Sequence, residues 1–279
     1  MGEGSAGASG AALLPGRVAL VTGASRGIGA ATATLLGRHG AAVAVNYRGN
    51  RGAAEQVVAA IEAGGGQAVA VQGDVGDQEQ VAAMVAEVAD VLGPIDILVL
   101  NADAVRSFTV APFVAMSWEQ FEDLVLGETK AIFLPAQAVV PSMIERGRGV
   151  IVAISSGLSR TSRPGLLAHS AGKSAVDSMV RSLATELGPS GIRVNAVAPG
   201  LVETEASASM WQARSGRPGG QGGGATDGSE PGAVLRQMTP MRRIATADDV
   251  AGAVLMLAGD AAGFVTGVYL PVNGGLTML

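Results

Sequence analysis

Short runs of apolar residues alternate along most of this chain with longer segments whose apolar residues recur at helical spacing. Apolar runs of this kind, when helices separate them, are typical of parallel strands that are buried on both faces of a sheet. The alternation begins at Arg17 and continues to the end of the chain. It predicts seven strands, at residues 17–21, 42–46, 67–71, 95–100, 149–154, 192–198 and 267–272.

The segments between the predicted strands are predicted to be helices. Pro135 and Pro141 could kink the longest of them, which is therefore predicted to hold one or two helices. Because strands and helices alternate continuously, we expect one domain over residues 15–279. Its predicted fold is α/β, a Rossmann-type, doubly wound, mostly parallel seven-stranded sheet with helices on both faces. The predicted helices span residues 28–38, 53–63, 78–92, 118–146, 168–187 and 247–258.

Two segments depart from this alternation. Residues 1–14 are predicted to be a flexible N-terminal tail, because Gly, Ala and Ser dominate its sequence. Residues 201–240 are predicted to form a lid or loop region. Within it, residues 215–232 contain eight glycines and few apolar residues, so this insertion cannot bury enough surface to fix one conformation. The insertion is either a surface loop or part of a lid over the active site.

The composition excludes several classes of protein. Apolar residues make up 48% of the 279 residues and charged residues 15%, which excludes an intrinsically disordered chain. A net charge of −5 offers no basic surface to a nucleic acid. The chain has no cysteine and only two histidines, so disulfides, cysteine nucleophiles and the common metal sites are not expected. Without a signal peptide or a membrane span, we expect a soluble, cytoplasmic protein that binds neither membranes nor nucleic acids.

A glycine-rich turn at residues 22–29, Thr-Gly-Ala-Ser-Arg-Gly-Ile-Gly, joins the first predicted strand to the first predicted helix. Glycines allow a tight turn and let a pyrophosphate approach the backbone, and the helix N-terminus offers unpaired N–H groups to the anion. A purely structural turn is the alternative. Strand before and helix after favour a dinucleotide site. The residues predicted to bind it here are Gly23, Ser25, Arg26, Gly27, Ile28 and Gly29.

The spacing of this turn resembles the nucleotide turn of the short-chain dehydrogenase/reductase family, and the resemblance covers residues 17–279. Asp74-Val75 resembles the adenine contact of that family. Residues 194–204 resemble the segment that passes the nicotinamide carboxamide, and residues 270–275 resemble the C-terminal signature. The further cofactor contacts that the resemblance implies are Tyr47, Arg48, Asp74, Val75, Asn101, Ala102, Lys173, Pro199, Gly200, Val202 and Thr204.

The residues after the second predicted strand favour NADP(H) over NAD(H). A site selective for NAD places an acid there for the ribose hydroxyls, whereas this strand continues into Asn46-Tyr47-Arg48. Arg48 and Arg26 could both reach an adenosine 2′-phosphate, and a guanidinium suits a phosphate by its charge and its fork geometry. The alternative is that both arginines are solvated surface residues.

The catalytic signature of the family is only partly present. In this family a Ser orients the substrate carbonyl, a Tyr donates a proton to it, and a Lys activates the Tyr and holds the ribose. Ser156 and Lys173 match this signature, but His169 stands at the Tyr position. His169 and Lys173 are four residues apart, so they share one face of the predicted helix. His169 is either the proton-transfer group or a sign of lost catalysis.

Two further positions differ from the family pattern. Asp103 replaces the last residue of Asn-Asn-Ala-Gly, and Glu128 aligns with the family's helical Asn. Both add a carboxylate near the expected site, unless they are merely solvated or ion-paired. A neighbouring ammonium disfavours an imidazolium ion, which makes the site better suited to taking up a proton than to donating one. The two carboxylates would oppose this effect.

Three functions remain open on these residues. The first is a ketoreductase-like, NADP(H)-dependent oxidoreductase acting on a carbonyl or secondary alcohol through Ser156, His169 and Lys173. The second is a non-redox cyclase, dehydratase or isomerase in which His169 works with Glu128 or Asp103. The third is a non-catalytic binding protein on the same scaffold.

The substrate is expected to be a small molecule, bulky and apolar if the aromatic residues and methionines near the lid line a pocket. The same residues could instead belong to the core. The resemblance also implies a homotetramer or homodimer packed through the long helices. The residues in question are Phe108, Phe113, Met210, Trp211, Met238 and Met241.

Overall fold

The computed structural model describes residues 12–205 and 233–278. Its main strands coincide with the apolar runs, which are bounded by glycines, polar residues or turns. They are β1 (Val18–Val21), β2 (Ala42–Tyr47), β3 (Gln67–Gln72), β4 (Ile97–Leu100), β5 (Gly149–Ile154), β6 (Ile192–Pro199), β7 (Val202–Glu203), β8 (Ala245–Thr246) and β9 (Tyr269–Val272).

The helices begin at polar caps in several cases. Asp77, Ser117 and Thr246 each accept backbone N–H groups of the first helical turn that follows them. The helices are α1 (Gly27–Arg38), α2 (Arg51–Ala63), α3 (Gln78–Leu92), α4 (Trp118–Arg146), α5 (Leu167–Leu187), α6 (Ala233–Met238) and α7 (Ala247–Ala258). None of these helices, which cover only the described residues, is long and apolar enough to cross a membrane.

Seven strands form one sheet in the order β3-β2-β1-β4-β5-β6-β9, and every pairing in it is parallel. This confirms the predicted doubly wound α/β fold. β7 and β8 form a separate two-stranded ribbon that was not predicted, because strands of two residues show no periodicity. The chain order reverses between β1 and β4, and ligands of open α/β sheets bind at such a switch point.

Alternate residues of the strands pack on opposite faces of the sheet. Ala19 and Val21 belong to a core that includes residues of α1, α2 and α7, whereas Val18 and Leu20 belong to a core with α3, α4 and α5. Helices therefore cover both faces, and the central strands β1, β4 and β5 are apolar along their whole length. Parallel strands buried in this way direct all their carboxyl ends to one edge.

The structure changes some predicted boundaries. α4 is one helix through both Pro135 and Pro141. β4 begins at Ile97 rather than at residue 95, and β9 begins at Tyr269 rather than at residue 267. Leu14, the last residue of the predicted tail, is 2% exposed, and its N–H bonds to the His39 carbonyl. Residues 1–11 of the predicted tail and the whole 215–232 insertion lie outside the described residues.

Candidate active site and cofactor turn

The ends of β1 and β4 are tied together by Thr22. Its Oγ1 accepts the backbone N–H groups of Asn101 at 2.9 Å and Ala102 at 3.1 Å, and it donates to the Val99 carbonyl at 3.2 Å. The side chain is fully buried, so these bonds form away from competing water. The two segments that flank the switch point are thereby held in one arrangement.

The glycine turn is fixed by two asparagines. Asn101 Nδ2 donates to the carbonyls of Thr22 and Gly23, and Asn46 Oδ1 accepts the Gly23 N–H at 3.0 Å. Gly23 has φ +61°, and a Cβ there would approach Ala102 to 3.0 Å. At Gly29 a Cβ would collide with the Gly23 carbonyl oxygen. Glycine is therefore required at both positions for the turn and the helix to pack together.

This turn leaves the N-terminus of α1 open toward solvent. Arg26, the N-cap, makes no side-chain cap, and the first turn of α1 holds no acidic residue. Gly27 has φ +57°, and a Cβ there would meet nothing nearer than Thr204 at 3.6 Å. Uncapped N–H groups beside a bare backbone fit the pyrophosphate of a dinucleotide. Among the described residues, the exposed Arg26 guanidinium has no hydrogen-bond or ion-pair partner.

The adenosine side of the predicted site is at the ends of β2 and β3. Arg48 is exposed, and its guanidinium lies 4.0 Å from the Asp74 carboxylate, which accepts the Gly76 N–H at 2.8 Å. The side chain of Tyr47 is 5% exposed and packs in the core. Only its backbone is available to a ligand. Val75 is likewise buried.

The remaining predicted contacts lie at the end of β6. Pro199 is the last residue of that strand, and the Gly200 N–H bonds to the Val272 carbonyl at 3.0 Å. Val202 is buried, and Thr204 lies beside Gly27. The structure therefore brings the predicted segment after β6 to the glycine turn after β1.

A buried ion cluster occupies the position of the predicted reaction centre. Glu128, on α4, is 4% exposed. Its Oε2 lies 2.8 Å from Lys173 Nζ, and its Oε1 lies 3.3 Å from His169 Nδ1. The second contact lacks the alignment of a hydrogen bond. Lys173 also donates to the Ile154 carbonyl at 2.9 Å, which connects the cluster to the end of β5.

Opposing effects act on the Glu128 carboxyl. Burial alone would raise its pKa, but the charge of Lys173 and the contacts with His169 and Lys173 outweigh burial and lower the pKa to about 2. Glu128 is therefore ionised at neutral pH. The pKa of Asp103 shifts in the opposite direction. Although its side chain is exposed, desolvation and the negative charge of Glu128 raise its pKa, and Lys173 opposes this rise.

Two glycines inside helices make room for the Glu128 carboxylate and for the loop that carries Asp103. A Cβ at Gly172 of α5 would lie 3.0 Å from Cγ and 3.1 Å from Cβ of Glu128. A Cβ at Gly127 of α4 would lie 2.8 Å from Val105 Cγ2 and 2.9 Å from its backbone nitrogen. Because glycine in a helix interior costs stability, both positions indicate a need for space. Glu128 packs closely against Gly172, and the loop that carries Asp103 packs closely against Gly127.

Gly172→Ala is expected to destabilise the protein by about 1 kcal/mol, because crowding of Glu128 exceeds the gain in helix propensity. Gly252→Ala in α7 is the matched control, since a Cβ there meets nothing within 4 Å. This control is expected to stabilise by roughly 0.5–1 kcal/mol. Urea unfolding measures both. Equal stabilisation by the two variants would contradict the crowding that we infer at Gly172.

The residues considered for an apolar pocket are exposed rather than buried in a core. The Phe108 ring is 45% exposed and packs edge-on against His169, with ring centroids 5.3 Å apart. Phe113, Met238 and Met241 are also exposed. The core alternative is therefore wrong for these four residues. Met210 and Trp211 lie outside the described residues.

The pattern of the sequence did not single out three residues that organise the site. Asn46 holds the glycine turn, and Asp177 and Tyr269 contact the turn that carries Ser156. A polar side chain inside an otherwise apolar strand was a usable signal for Asn46. Asp177 on the apolar face of α5 offered the same signal. Tyr269 offered none, because a tyrosine at the start of a strand is common.

Comparisons with known proteins agree with this architecture. A family model described as enoyl-(acyl carrier protein) reductase matches residues 23–277. A 3-oxoacyl-(acyl-carrier-protein) reductase of Synechocystis is 36% identical over 95% of this chain and 98% of that protein. Gluconate 5-dehydrogenase of Gluconobacter oxydans is 37% identical over 95% and 96%. The structure of a 7α-hydroxysteroid dehydrogenase with NADH and 7-oxo glycochenodeoxycholic acid is 32% identical, covers 94% of each chain and has a TM-score of 0.83.

The doubly wound sheet, the glycine turn at its switch point and these similarities define a Rossmann-type oxidoreductase. More narrowly, the chain belongs to the short-chain dehydrogenase/reductase family. The relatives carry three different substrate names, so the family alone does not identify the substrate of this chain.

Proposed function

We propose that this chain is an NADP(H)-dependent oxidoreductase that interconverts a ketone and a secondary alcohol through Ser156, His169 and Lys173. The observation that supports this most is the shared contact of His169 and Lys173 with the buried Glu128 carboxylate. Lys173, which shares this carboxylate with His169, also donates to the Ile154 carbonyl at the end of β5, and the glycine turn after β1 suits a pyrophosphate. A nicotinamide cofactor bound at this site would supply or accept the hydride.

His169 is the proton-transfer group in this proposal. A carboxylate 3.3 Å from Nδ1 favours the hydrogen at Nδ1, and which nitrogen carries the proton is set by such a partner. Nε2 then faces the substrate oxygen, and it exchanges the proton with that oxygen as the hydride is transferred. Glu128 stabilises the positive charge that develops on the ring, as the carboxylate of a catalytic triad does.

Ser156 and Lys173 hold the reacting groups in place. The Ser156 hydroxyl accepts the Leu158 N–H at 3.2 Å, and no described residue accepts its own proton. That proton is free to bond to the substrate oxygen. Lys173 has three N–H groups, of which Glu128 and Ile154 take two, so one remains for a cofactor hydroxyl. We assign to Asp103, which is exposed beside this cluster, the exchange of a proton with solvent.

We expect NADP(H) to be preferred because of Arg48 and Arg26. Arg48 lies at the end of β2 and Arg26 at the N-terminus of α1, and both are exposed. No acidic residue lies at the end of β2, where it would bind the ribose hydroxyls of NAD and repel a phosphate. The Asp74 carboxylate, 4.0 Å from Arg48, is too distant to satisfy that guanidinium fully.

Arg48→Ala is expected to weaken NADPH binding about tenfold or more and to change NADH binding less than twofold, since a charge-assisted bond to phosphate contributes about 1.5–3 kcal/mol. Arg26→Ala should act in the same direction. Fluorescence titration of the reduced cofactors measures both affinities. Arg38→Ala, at the opposite end of α1, is the matched control and should bind both cofactors normally. Equal losses for NADPH and NADH in Arg48→Ala would refute the assignment.

A non-redox reaction is the second candidate, and one observation favours it. The Glu128–His169 pair is a carboxylate-oriented imidazole, which is the arrangement of a general base in many enzymes that use no hydride. A cyclase, dehydratase or isomerase would then turn over its substrate without consuming NADPH. Absorbance at the nicotinamide band during turnover distinguishes this candidate from the first.

The exposed apolar residues support two further proposals. Phe108, which packs on His169, and the exposed Met238 and Met241 favour a small-molecule substrate that is bulky and apolar. Leu126, Phe133 and Ile144 are exposed along α4, which favours a homodimer or homotetramer packed through the long helices. Light scattering at micromolar concentration tests the second proposal.

A further inference from the structure

The turn that carries Ser156 is held from three sides. It follows β5 directly, and the Ser155 N–H bonds to the Val197 carbonyl at 2.8 Å. On one flank Lys173 donates to the Ile154 carbonyl. On the other flank the Ser174 hydroxyl lies 2.7 Å from the Ser159 carbonyl oxygen and 2.8 Å from the Ser170 carbonyl oxygen, which share its one proton. These bonds hold the residues around Ser156, and two further groups act on Ser156 and its neighbours directly.

The first of these groups is the Asp177 carboxylate, which is 5% exposed on α5. One of its oxygens accepts the Ser155 hydroxyl, and the other accepts the Ser159 hydroxyl at 2.6 Å. Asp177 therefore holds residues on both sides of Ser156 at once. The guanidinium of Arg160 lies 3.7 Å from the same carboxylate and offsets its buried charge.

The Asp177 carboxylate and the Ser156 carbonyl oxygen compete for the proton of the Ser159 hydroxyl. The Ser159 hydroxyl lies 2.6 Å from Asp177 Oδ2 and 2.9 Å from the Ser156 carbonyl oxygen, yet it has one proton to donate. The bond to the charged carboxylate is the shorter and stronger of the two. The Ser156 carbonyl oxygen accepts the Ser159 backbone N–H at 3.0 Å and has a second lone pair that another donor can occupy.

That donor is the Tyr269 hydroxyl. It lies 3.2 Å from the Ser156 carbonyl oxygen and reaches it from β9, 113 residues along the chain. Burial raises the pKa of Tyr269, so the phenol stays protonated and able to donate. The Arg160 guanidinium lies 3.8 Å from the centre of the Tyr269 ring and covers it. Arg160 thus contacts both Asp177 and Tyr269.

We propose that Tyr269 and Asp177 are positioning residues that fix Ser156, with Arg160 linking them, so that the Ser156 hydroxyl directs its proton at the substrate oxygen. This inference rests on the proposed role of Ser156 in ketone reduction. Tyr269 does not take the role of the catalytic tyrosine of the family, at whose position this chain has His169. It acts on the backbone of Ser156 instead of on the substrate.

The first test is a double-mutant cycle in the full chain, with NADPH and the bicyclic aromatic ketone 1-tetralone as the probe. Tyr269→Phe and Asp177→Asn are each expected to lower kcat about tenfold with KM within twofold, because a small displacement of a positioned group slows the reaction. In a Ser156→Ala background neither change should lower kcat further. Glu186→Gln, an isosteric change on the exposed face of α5, is the control and should leave kcat unchanged. A tenfold loss that persists without the Ser156 hydroxyl would overturn the proposal.

The second test does not depend on activity. Hydrogen exchange followed by mass spectrometry reports on the amides of Leu158 and Ser159, which bond to Ser156. Tyr269→Phe and Asp177→Asn should each speed exchange in the peptide over residues 155–161, and Glu186→Gln should not. Unchanged exchange in both variants would overturn the proposal. If 1-tetralone is not reduced but exchange responds as expected, the proposed function fails and the positioning of Ser156 stands.

Discussion

Glu128→Ala is expected to lower the free energy of unfolding at pH 7 by about 3 kcal/mol, because it leaves the Lys173 ammonium buried without its partner. The Glu128 carboxylate is the group that Lys173 and His169 share, and among the described residues Lys173 has only the Ile154 carbonyl besides it. Urea denaturation of the full chain measures the loss. Glu122→Ala, on the exposed side of the same helix, is the control and should change stability by less than about 0.5 kcal/mol. A loss at Glu128 no larger than that of the control would contradict the buried ion pair.

The same carboxylate predicts how stability depends on pH. Its pKa is lowered in the folded protein from an ordinary value of 4.5 to about 2. A depressed carboxyl pKa stabilises the fold fully above pH 4.5 and loses that contribution as the pH falls toward 2. The gap in stability between wild type and Glu128→Gln should therefore be constant above pH 5 and shrink below it. A gap that widened in acid would show that Glu128 is protonated in the fold.

His169→Ala is expected to lower kcat/KM for ketone reduction about 10² to 10⁴-fold, which is the usual contribution of a positioned acid or base. NADPH affinity should stay within twofold, because His169 lies on the substrate side of Lys173 in the proposed site. Steady-state kinetics and a fluorescence titration of the same preparation separate the two effects. A parallel loss of NADPH affinity would indicate that His169 binds the cofactor rather than the substrate.

His169→Tyr is the informative companion variant, since it restores the residue that the family pattern has at this position. The proposal predicts that it reduces ketones no faster than wild type, because Glu128 would then face a neutral phenol instead of an imidazole. A gain of reductase activity that wild type lacks would mean that the native reaction is not ordinary carbonyl reduction.

The sequence was sufficient to predict the architecture of the sheet. Apolar strands that alternate with helices specify parallel pairing with both faces covered, and every strand of the seven-stranded sheet was anticipated within two residues. β7 and β8 were missed because two residues carry no period. The burial of Leu14 was not anticipated, because the short segment Leu13-Leu14-Pro15 carries no period that reveals its tertiary contact.

The candidate site was predictable where it is local in sequence. The glycine turn is one segment, and the four-residue spacing of His169 and Lys173 predicts that they share a helical face. The structure brings both to one carboxylate, and it brings Glu128 and Asp103 close enough to affect each other electrostatically. The sequence did not indicate that the Tyr47 ring packs inward, because its position in the motif does not show the direction of its side chain.

The contacts that hold Ser156 were not predictable, because they join distant parts of the chain. Asp177 is on the next helix, and Tyr269 comes from the last strand of the sheet. A single sequence offers no period that relates such residues. Their effect appears only when the register of β6 and β9 sets Tyr269 beside the end of β5.

The most direct test of the account uses NADPH that carries deuterium at C4 of the nicotinamide, with wild type and His169→Ala and a panel of polycyclic and aliphatic ketones. Mass spectrometry of the products follows the label. The account predicts that wild type places deuterium on the carbinol carbon of an alcohol product, and that His169→Ala binds the cofactor but forms this product at least a hundredfold more slowly. Turnover of a ketone by wild type with no deuterium transferred, and no cofactor consumed, would contradict it.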